Sequence, residues 1–181
     1  AYEKLKSFKN KIESYGIERD YPCIDGTSGL SLYFKNGSIT PTQAIYYLKL
    51  DYYSKGSKNG KDNYLSEIIW REFYYHILVR NSHVENEAYN LKYKNIKWQN
   101  KLEYFNAWKS GQTGFPIVDA GMRQLKHTGL MHNRIRMIVA SFLVKDLLID
   151  WRWGEKYFME QLLDGDLAAN NGGWQWAAST G

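Results

Sequence analysis

Apolar residues recur every three or four positions along most of the chain, which is the period of an amphipathic α-helix. The spacing is clear in residues 2–15, at Leu5, Phe8, Ile12 and Tyr15. The alternation of apolar and polar residues that is typical of strands is nearly absent, and no internal repeat is found. The pattern therefore predicts an all-α fold.

Helix boundaries follow from residues that start or interrupt the pattern. Thr40 can cap a helix and Pro41 is tolerated in its first turn, so a helix is predicted from there to about Leu50. Glycine and proline predict loops at 16–38 and 54–63, and 82–114 is polar and irregular around one helix. The other predicted helices cover about 63–80, 100–109, 114–127, 131–148 and 154–163.

Composition adds an aromatic excess and a positive charge. Aromatic residues make up 16% of the 181 residues, more than a plain helical core needs. The net charge of +5 suits an anionic partner such as nucleic acid, but coding bias toward lysine would give the same excess. The charge alone leaves both explanations open.

Cysteine content and hydropathy bear on the compartment. Cys23 is the single cysteine, so no internal disulfide can form. No apolar run approaches the roughly 20 residues of a membrane span, and the N-terminus lacks the apolar stretch of a signal peptide. We therefore expect a cytoplasmic protein without membrane contact. Its length favours one domain, and both ends have the character of cuts through a longer protein.

Several common chemistries are absent from the sequence. The four histidines form no His-x-x-x-His pair and have no cysteine cluster beside them, which argues against a zinc site. No phosphate-binding P-loop and no Gly-x-Gly-x-x-Gly motif occur. The remaining candidate site consists of hydroxyls, acids, amides and aromatic rings.

Residues 164–181 concentrate those groups. The stretch contains two acids, two adjacent amides, a glycine pair and two tryptophans, with little aliphatic bulk. A core helix does not need this mixture, and a solvated loop does not favour tryptophan. We interpret the stretch as the lining of a large, polar, aromatic ligand.

The same stretch resembles the flavin-binding signature of the DNA photolyase/cryptochrome family. The resemblance extends over essentially the whole chain and is nearest to bacterial class I cyclobutane pyrimidine dimer photolyases. It implies a multi-helical FAD-binding catalytic domain, with damaged DNA as partner, no metal and a monomeric state. It also implies light-driven dimer repair by electron transfer from excited reduced FAD. We expect the family's N-terminal α/β antenna domain, which would carry a chromophore such as a folate, and the end of the helical domain to lie outside this sequence.

The resemblance assigns two groups of cofactor contacts. A hydroxyl-rich loop would hold the FAD phosphates, although by itself it also suits a helix N-cap; its residues are Thr27, Ser28, Gly29, Leu30 and Ser31. Asn170 would face flavin N5, and Arg136 would pair with Asp164 beside the flavin ring. The other implied cofactor contacts are Tyr15, Tyr64, Arg71, Asn133, Gly165 and Asp166.

The implied DNA contacts centre on one helix face. Glu67, Trp70, Arg71 and Tyr74 are spaced three and four apart. Alone, this face could be a Glu67–Arg71 ion pair beside a core tryptophan. The resemblance instead implies that Glu67 hydrogen-bonds the dimer, and stabilises its radical anion if protonated, while Trp70 stacks on it. The remaining implied DNA contacts are Arg19, Asn133, Arg134, Met137 and Trp176, the last stacking opposite Trp70.

Three tryptophans carry a further implied role. Trp98, Trp151 and Trp174 match a chain that passes electrons from the surface to the flavin, although the sequence alone favours core packing for all three. Two positions depart from the family pattern. Tyr64 and Leu130 stand where relatives often have tryptophan.

Two alternatives remain. A cryptochrome-type light sensor would share the fold and FAD without repair; Asn170, Glu67 and Met137 favour repair, and an aspartate at position 170 would suit a plant-type cryptochrome. The residue types at Asn133 and Met137 also argue against a six-four photolyase, because those enzymes have histidine at the matching positions. A basic DNA-binding helical module would explain the charge but would leave Asp164 and Asp166 without a purpose.

Overall fold

The computed structural model describes residues 1–51 and 59–181, and these residues form helices and no strand. The described chain divides into two compact units, Ala1–Phe73 and Tyr74–Gly181. Each unit has a hydrophobic core of its own. The predicted all-α class is confirmed.

The N-terminal unit is built from short helices and the beginning of a long one. In chain order they are α1 (Tyr2–Lys9), a 3₁₀ turn (Ile12–Ser14), α2 (Tyr15–Glu18), α3 (Ser31–Lys35), α4 (Pro41–Leu48) and α5 (Gly60–Arg80). The prediction of one helix over 2–15 was wrong, because the chain leaves α1 after Lys9 and tightens into the 3₁₀ turn. The apolar period is still satisfied, since Ile12 and Tyr15 are both buried.

Helix α4 begins as the sequence predicts. The Thr40 hydroxyl accepts a hydrogen bond from the Gln43 backbone N–H at 3.1 Å. The Gln43 side-chain oxygen accepts one from the Thr40 N–H at 2.8 Å, which completes a capping box. Helix α5 starts at Gly60, three positions before the predicted start, so the predicted loop at 54–63 is helical at its end; residues 54–58 lie outside the described residues.

The C-terminal unit holds the larger helices. After α5 come two 3₁₀ turns (Ser82–Glu85 and Leu91–Tyr93), α6 (Leu102–Ser110), α7 (Pro116–Thr128), α8 (Asn133–Ser141), a π-helical turn (Phe142–Asp146), α9 (Trp151–Gln161) and α10 (Leu167–Ala177). The helices predicted over 100–109, 114–127 and 154–163 agree with α6, α7 and α9 to within three residues. The helix predicted over 131–148 comprises α8 and the π-helical turn that follows it. Helix α10 was not predicted, because its Asn-Asn-Gly-Gly sequence is poor in helix formers and interrupts the apolar spacing that is typical of a helix.

The core of the C-terminal unit is aromatic and centres on Trp108. Its indole N–H donates to the Val139 carbonyl oxygen at 3.0 Å, which satisfies the one polar atom of a fully buried side chain. The Trp108 ring lies 6.0 Å from that of Phe158 and 6.1 Å from that of Trp174, centroid to centroid. These contacts join α6, α9 and α10.

Gly154 permits the close approach of α9 and α10, and its replacement gives a stability prediction. A methyl group there would overlap the Trp174 ring and lie 2.7 Å from Leu143 Cδ2. We expect Gly154→Ala to lower the free energy of unfolding by about 2 kcal/mol, since overpacking outweighs the gain in helix propensity. Urea unfolding followed by circular dichroism measures the change.

Gly173 provides the matched control, because an added methyl group at this helical position meets nothing within 4 Å. Gly173→Ala should raise the free energy of unfolding by up to about 1 kcal/mol. If Gly154→Ala stabilises the protein as much as Gly173→Ala does, the close approach does not require glycine.

Candidate functional site

The C-terminal unit contains an ion pair between α8 and the segment after α9, in which one arginine nitrogen contacts both carboxylate oxygens. Arg136 Nη2 lies 2.9 Å from Asp164 Oδ1 and 3.0 Å from Oδ2. The Asp164 side chain is only 4% exposed, and the Arg136 side chain is 27% exposed. Arg136 Nε also donates to the Met131 carbonyl oxygen at 2.8 Å, which fixes the guanidinium. The predicted pair is thus confirmed, and it places a polar, charged wall at a buried position.

Asn170 lies on α10 and faces Glu155 of α9. Its amide nitrogen donates to the Glu155 carbonyl oxygen and to Glu155 Oε1, both at 3.0 Å. Burial raises the pKa of Glu155, the hydrogen bond from Asn170 opposes that shift, and the negative charge of Glu85 adds to it. Both N–H groups of the amide are therefore committed to Glu155, while its carbonyl oxygen accepts no hydrogen bond from the part of the chain that the structure describes.

Asp166 starts α10 and is held by a residue that the sequence did not single out. Its Oδ1 accepts a hydrogen bond from the Ala169 N–H at 3.3 Å, as an N-cap residue does. Its Oδ2 accepts a hydrogen bond from the Tyr75 hydroxyl. Tyr75 lies one position after Tyr74 and so does not share the helix face of Glu67, Trp70, Arg71 and Tyr74. The spacing of that face therefore did not point to Tyr75. Gly165, between the two acids, is buried.

The glycine pair in α10 has two different roles. A methyl group at Gly172 would overlap the Tyr74 ring, so glycine is needed where α10 approaches Tyr74. Gly173 has open space around it. Composition predicted that both glycines line a ligand site. The structure shows instead that Gly172 is required for packing against Tyr74.

Two side-chain amides in the same stretch form hydrogen bonds with backbone groups. Asn171 Nδ2 donates to the Val84 carbonyl oxygen at 2.9 Å. Gln175 Nε2 donates to the carbonyl oxygens of Val84 at 3.1 Å and Glu87 at 3.0 Å, and Gln175 Oε1 accepts from the Tyr89 N–H at 2.7 Å. Both side chains are buried. The interpretation of the whole stretch as ligand lining is therefore too broad, because this face of α10 secures residues 84–89.

In the N-terminal unit, the loop 27–31 is organised by Ser28. The Ser28 hydroxyl oxygen accepts hydrogen bonds from the Leu30 N–H at 3.3 Å and from the Tyr64 hydroxyl at 3.1 Å. Gly29 adopts a φ of +61°, which favours glycine. The hydroxyls of Thr27 and Ser31 make no hydrogen bond within the described residues. Residue Leu30 precedes α3 without a side-chain cap, so the N-cap alternative for this loop is wrong.

Tyr64 fills a position between this loop and the core of the N-terminal unit. Its ring packs against Phe8 and Tyr15 at centroid distances of 4.6 and 5.2 Å. Burial raises the pKa of Tyr64 to about 12, and the hydrogen bond to Ser28 opposes that shift. Burial also raises the pKa of Tyr15, and Arg19, stacked over its ring at 5.2 Å, opposes that rise. The hydroxyl that distinguishes Tyr64 from tryptophan thus anchors the loop 27–31.

Glu67 pairs with a residue far away in sequence. Arg19 Nη1 donates to Glu67 Oε1 at 2.7 Å. Arg71 Nη1 instead contacts Glu72 Oε1 at 2.8 Å, so the alternative of a Glu67–Arg71 pair is wrong. Glu67 and Arg19, two predicted DNA contacts, lie together. In this pair Glu67 acts as a hydrogen-bond acceptor.

Large rings predicted to contact DNA are exposed. Trp70 is 52% exposed and packs edge-on against Phe73 at 5.3 Å. In the other unit, Trp176 is 60% exposed.

The start of α8 brings three predicted DNA contacts together. Arg134 Nη1 lies 3.4 Å from Met137 Sδ, and Asn133 Nδ2 lies 4.0 Å from the same sulfur. Asn133 is exposed, and Arg134 and Met137 are partly buried. They form a polar and thioether surface next to the Arg136–Asp164 pair on the same helix.

The three tryptophans of the predicted electron chain all belong to the C-terminal core. Trp151 and Trp174 are buried, and Trp98 packs against the cluster from a partly buried position. Within the described residues, no two of these three rings form a ring pair; Trp174 contacts Phe158 at 5.0 Å and Trp108 at 6.1 Å. Their electron-transfer role stays a prediction.

In residues 1–51 and 59–181, no cluster of three or more histidine, cysteine or acidic side chains could hold a metal ion. Among the described helices, none is both long enough and apolar enough to span a membrane.

Comparison with known sequences gives a match to a family. The family described as "FAD binding domain of DNA photolyase" matches residues 64–181. A deoxyribodipyrimidine photo-lyase from Salmonella typhimurium strain LT2 is 52% identical over 170 residues. That match covers 93% of this chain and 36% of the relative, so the chain spans little more than a third of the relative's length.

Solved structures give the same fold. A bacterial class III photolyase from Agrobacterium tumefaciens superposes with a TM-score of 0.92 at 42% identity, over 99% of this chain and 37% of that one. A cryptochrome from Synechocystis sp. PCC6803 superposes with a TM-score of 0.91 at 33% identity, over 99% of this chain and 38% of that one.

Proposed function

Because the chain belongs to the family of FAD-binding domains of DNA photolyases, we propose that it is part of a light-driven DNA repair enzyme. The reaction is the splitting of cyclobutane pyrimidine dimers, as in a deoxyribodipyrimidine photo-lyase. The observation that carries the proposal is the state of Asn170, whose amide hydrogens are both held by Glu155 so that its carbonyl oxygen is left as an acceptor. That acceptor suits the N5–H group of a reduced flavin.

The other groups also fit FAD. The Thr27 and Ser31 hydroxyls and the left-handed Gly29 are suited to a pyrophosphate, which needs donors at close range. The Arg136–Asp164 pair offers both a cation and an acceptor to the polar edge of a flavin ring. When bound and reduced, FAD would supply, after absorbing blue light, the electron that opens the cyclobutane ring and is then returned.

The chain's own residues would bind and orient the lesion. The exposed ring of Trp70 in one unit, and that of Trp176 in the other, would each offer a stacking surface to a flipped-out base, in the way that enzymes hold an extruded base. Arg134 and Met137 would contact the lesion from α8. Glu67, fixed by Arg19, would accept a hydrogen bond from a base N–H; donating one to the dimer radical anion would need a protonated Glu67.

The proposal extends to the whole protein. The chain would be part of a helical domain that binds FAD and DNA, and the relatives' greater length leaves room for an antenna domain that carries a chromophore such as a folate. The protein would act as a monomer in the cytoplasm, where its single exposed cysteine, Cys23, needs no disulfide partner.

Repair of a defined lesion tests the proposal. The intact parent protein, with its flavin photochemically reduced, is mixed with an oligonucleotide that carries one thymine dimer. We expect dimer loss in blue light and none in darkness, with a lower yield for Glu67→Ala at unchanged flavin absorbance. No dimer loss by a protein that holds photoreducible FAD would favour the alternative of a cryptochrome-type light sensor, which the structural similarity to the Synechocystis cryptochrome supports.

Photoreduction separates two possible routes for electrons to the flavin. Trp98→Phe should abolish light-driven reduction of the oxidised flavin while sparing repair by chemically reduced enzyme, because phenylalanine is much harder to oxidise than tryptophan. Trp108→Phe is the comparison, since the Trp108 ring contacts that of Trp174 directly. Flavin absorbance under blue light measures both. If Trp108→Phe blocks photoreduction and Trp98→Phe does not, the predicted chain is wrong.

A further inference from the structure

A cavity of about 430 Å³ opens on the outer faces of α6 and α9 in the C-terminal unit. Its walls include Phe105, Lys109, Arg152, Trp153, Lys156 and Tyr157. Small-molecule sites in proteins are typically about 300–1,000 Å³, so the volume suits a ligand of mononucleotide size. We call this cavity the α6–α9 pocket.

The α6–α9 pocket lies apart from the site described above. On α9, Trp151 and Phe158 point into the core, and Glu155 is hydrogen-bonded to Asn170. Trp153 and Lys156 lie on another face of the same helix, as the 3.6-residue period requires. A ligand in the pocket would therefore be separate from FAD in the proposed FAD site.

Its aromatic rings are fixed by one another. The Trp153 ring meets the Phe105 ring edge-on at 5.2 Å. The Tyr157 ring lies 6.5 Å from Phe105 and 5.7 Å from the buried Trp108. Rings that are held in place present a stacking surface with little entropy to lose, which is how proteins bind bases without regard to sequence.

The pocket also carries an excess of positive charge. Lys109 Nζ lies 4.8 Å from the Phe105 ring centroid, and neither Lys109 nor Lys156 forms an ion pair with any residue that the structure describes. Arg152 uses Nε for the Asn86 carbonyl oxygen and Nη1 for Asp150, which leaves Nη2 available. Since Asp150 neutralises Arg152, two lysines stand against one carboxylate at the pocket wall, Glu160, and the excess is one positive charge. The balance favours an anion.

We propose that the α6–α9 pocket binds a nucleoside phosphate. The base stacks on Trp153 and Tyr157, and Lys109, Lys156 and Arg152 bind the phosphate. An inorganic anion would leave the aromatic wall unused, and a neutral aromatic molecule would leave the cations unused. A nucleoside phosphate can be a free nucleotide or a nucleotide within a single DNA strand, and both present the same chemistry.

Calorimetric titration of the intact parent protein with thymidine 5′-monophosphate tests the proposal. We expect Trp153→Ala to weaken binding about tenfold or more, the effect of losing one stacked base. Lys156→Gln should weaken binding less and reduce its salt dependence. Thymidine, which lacks the phosphate, should bind more weakly than the monophosphate to the parent protein.

Two control variants locate the binding. Lys145→Gln removes an exposed lysine outside the pocket and should leave the affinity unchanged. Trp176→Ala, in the proposed lesion site, should also retain the affinity for the monophosphate. Unchanged light-driven repair by Trp153→Ala and Lys156→Gln shows that both variants are folded.

Competition separates the two sources of the ligand. If a 5′-phosphorylated single strand of thymidylates displaces the monophosphate, and Trp153→Ala weakens the strand's binding, the pocket takes nucleotides of a DNA strand. If the strand does not compete, the ligand is a free nucleotide. Binding that survives in both Trp153→Ala and Lys156→Gln, or that is lost only in Trp176→Ala, overturns the proposal.

Discussion

Arg136→Met is expected to lower the free energy of unfolding by about 3–5 kcal/mol and to release FAD. The variant leaves the Asp164 carboxylate, only 4% exposed, without its cation. Asp164 makes no other side-chain hydrogen bond within the described residues, so nothing else offsets the cost of burying its charge. Chemical denaturation gives the loss of stability, and flavin absorbance per protein gives the loss of cofactor.

A double variant separates the two effects. Arg136→Met combined with Asp164→Asn removes both charges and should recover most of the stability, because a buried neutral pair carries no uncompensated charge. Its flavin content should stay low, since both groups that would face the flavin are gone. Arg80→Met, on an exposed arginine of α5, is the matched control and should change neither quantity. Full flavin content in the stable double variant would contradict a cofactor role for the pair.

The sequence predicted the helices that bury an apolar face. It did not predict helices that bury polar side chains or that are too short to show a period. Helices α6 to α9 have clear apolar periods and were found. Helix α10 buries Asn171 and Gln175, whose amides satisfy backbone groups, so its buried face is polar and gives no apolar period. The short helices α2 and α3 are at most five residues long and cannot show a period at all.

Partners within the site were predictable only where one charge had one obvious complement. The Arg136–Asp164 pair was expected and is present. The partner of Glu67 was not, because Arg19 lies 48 residues away and an intrahelical arginine was nearer in sequence. Asn170 and Asn171 are identical and adjacent, yet one faces Glu155 and the other Val84. Only the orientation of α10, a tertiary property, distinguishes a cofactor candidate from a structural amide.

That pair of asparagines allows a test in which residue type is held constant. Asn170→Ala should leave FAD bound but speed the reoxidation of the reduced flavin in air by about tenfold, the equivalent of losing one hydrogen bond of about 1.4 kcal/mol. The physical reason is the lost acceptor, which Glu155 keeps oriented by holding both amide hydrogens. The recovery of oxidised-flavin absorbance after photoreduction measures the rate.

Asn171→Ala is the matched control for that test. It removes the hydrogen bond to the Val84 carbonyl oxygen and leaves that buried acceptor with the Gln175 amide alone. It should lower the free energy of unfolding by about 1–3 kcal/mol and leave the reoxidation rate of the bound flavin unchanged. Equal reoxidation rates in the parent protein and Asn170→Ala would remove Asn170 from the flavin site. Equal acceleration by both variants would instead assign the effect to a loosened α10, because that helix is all that the two side chains share.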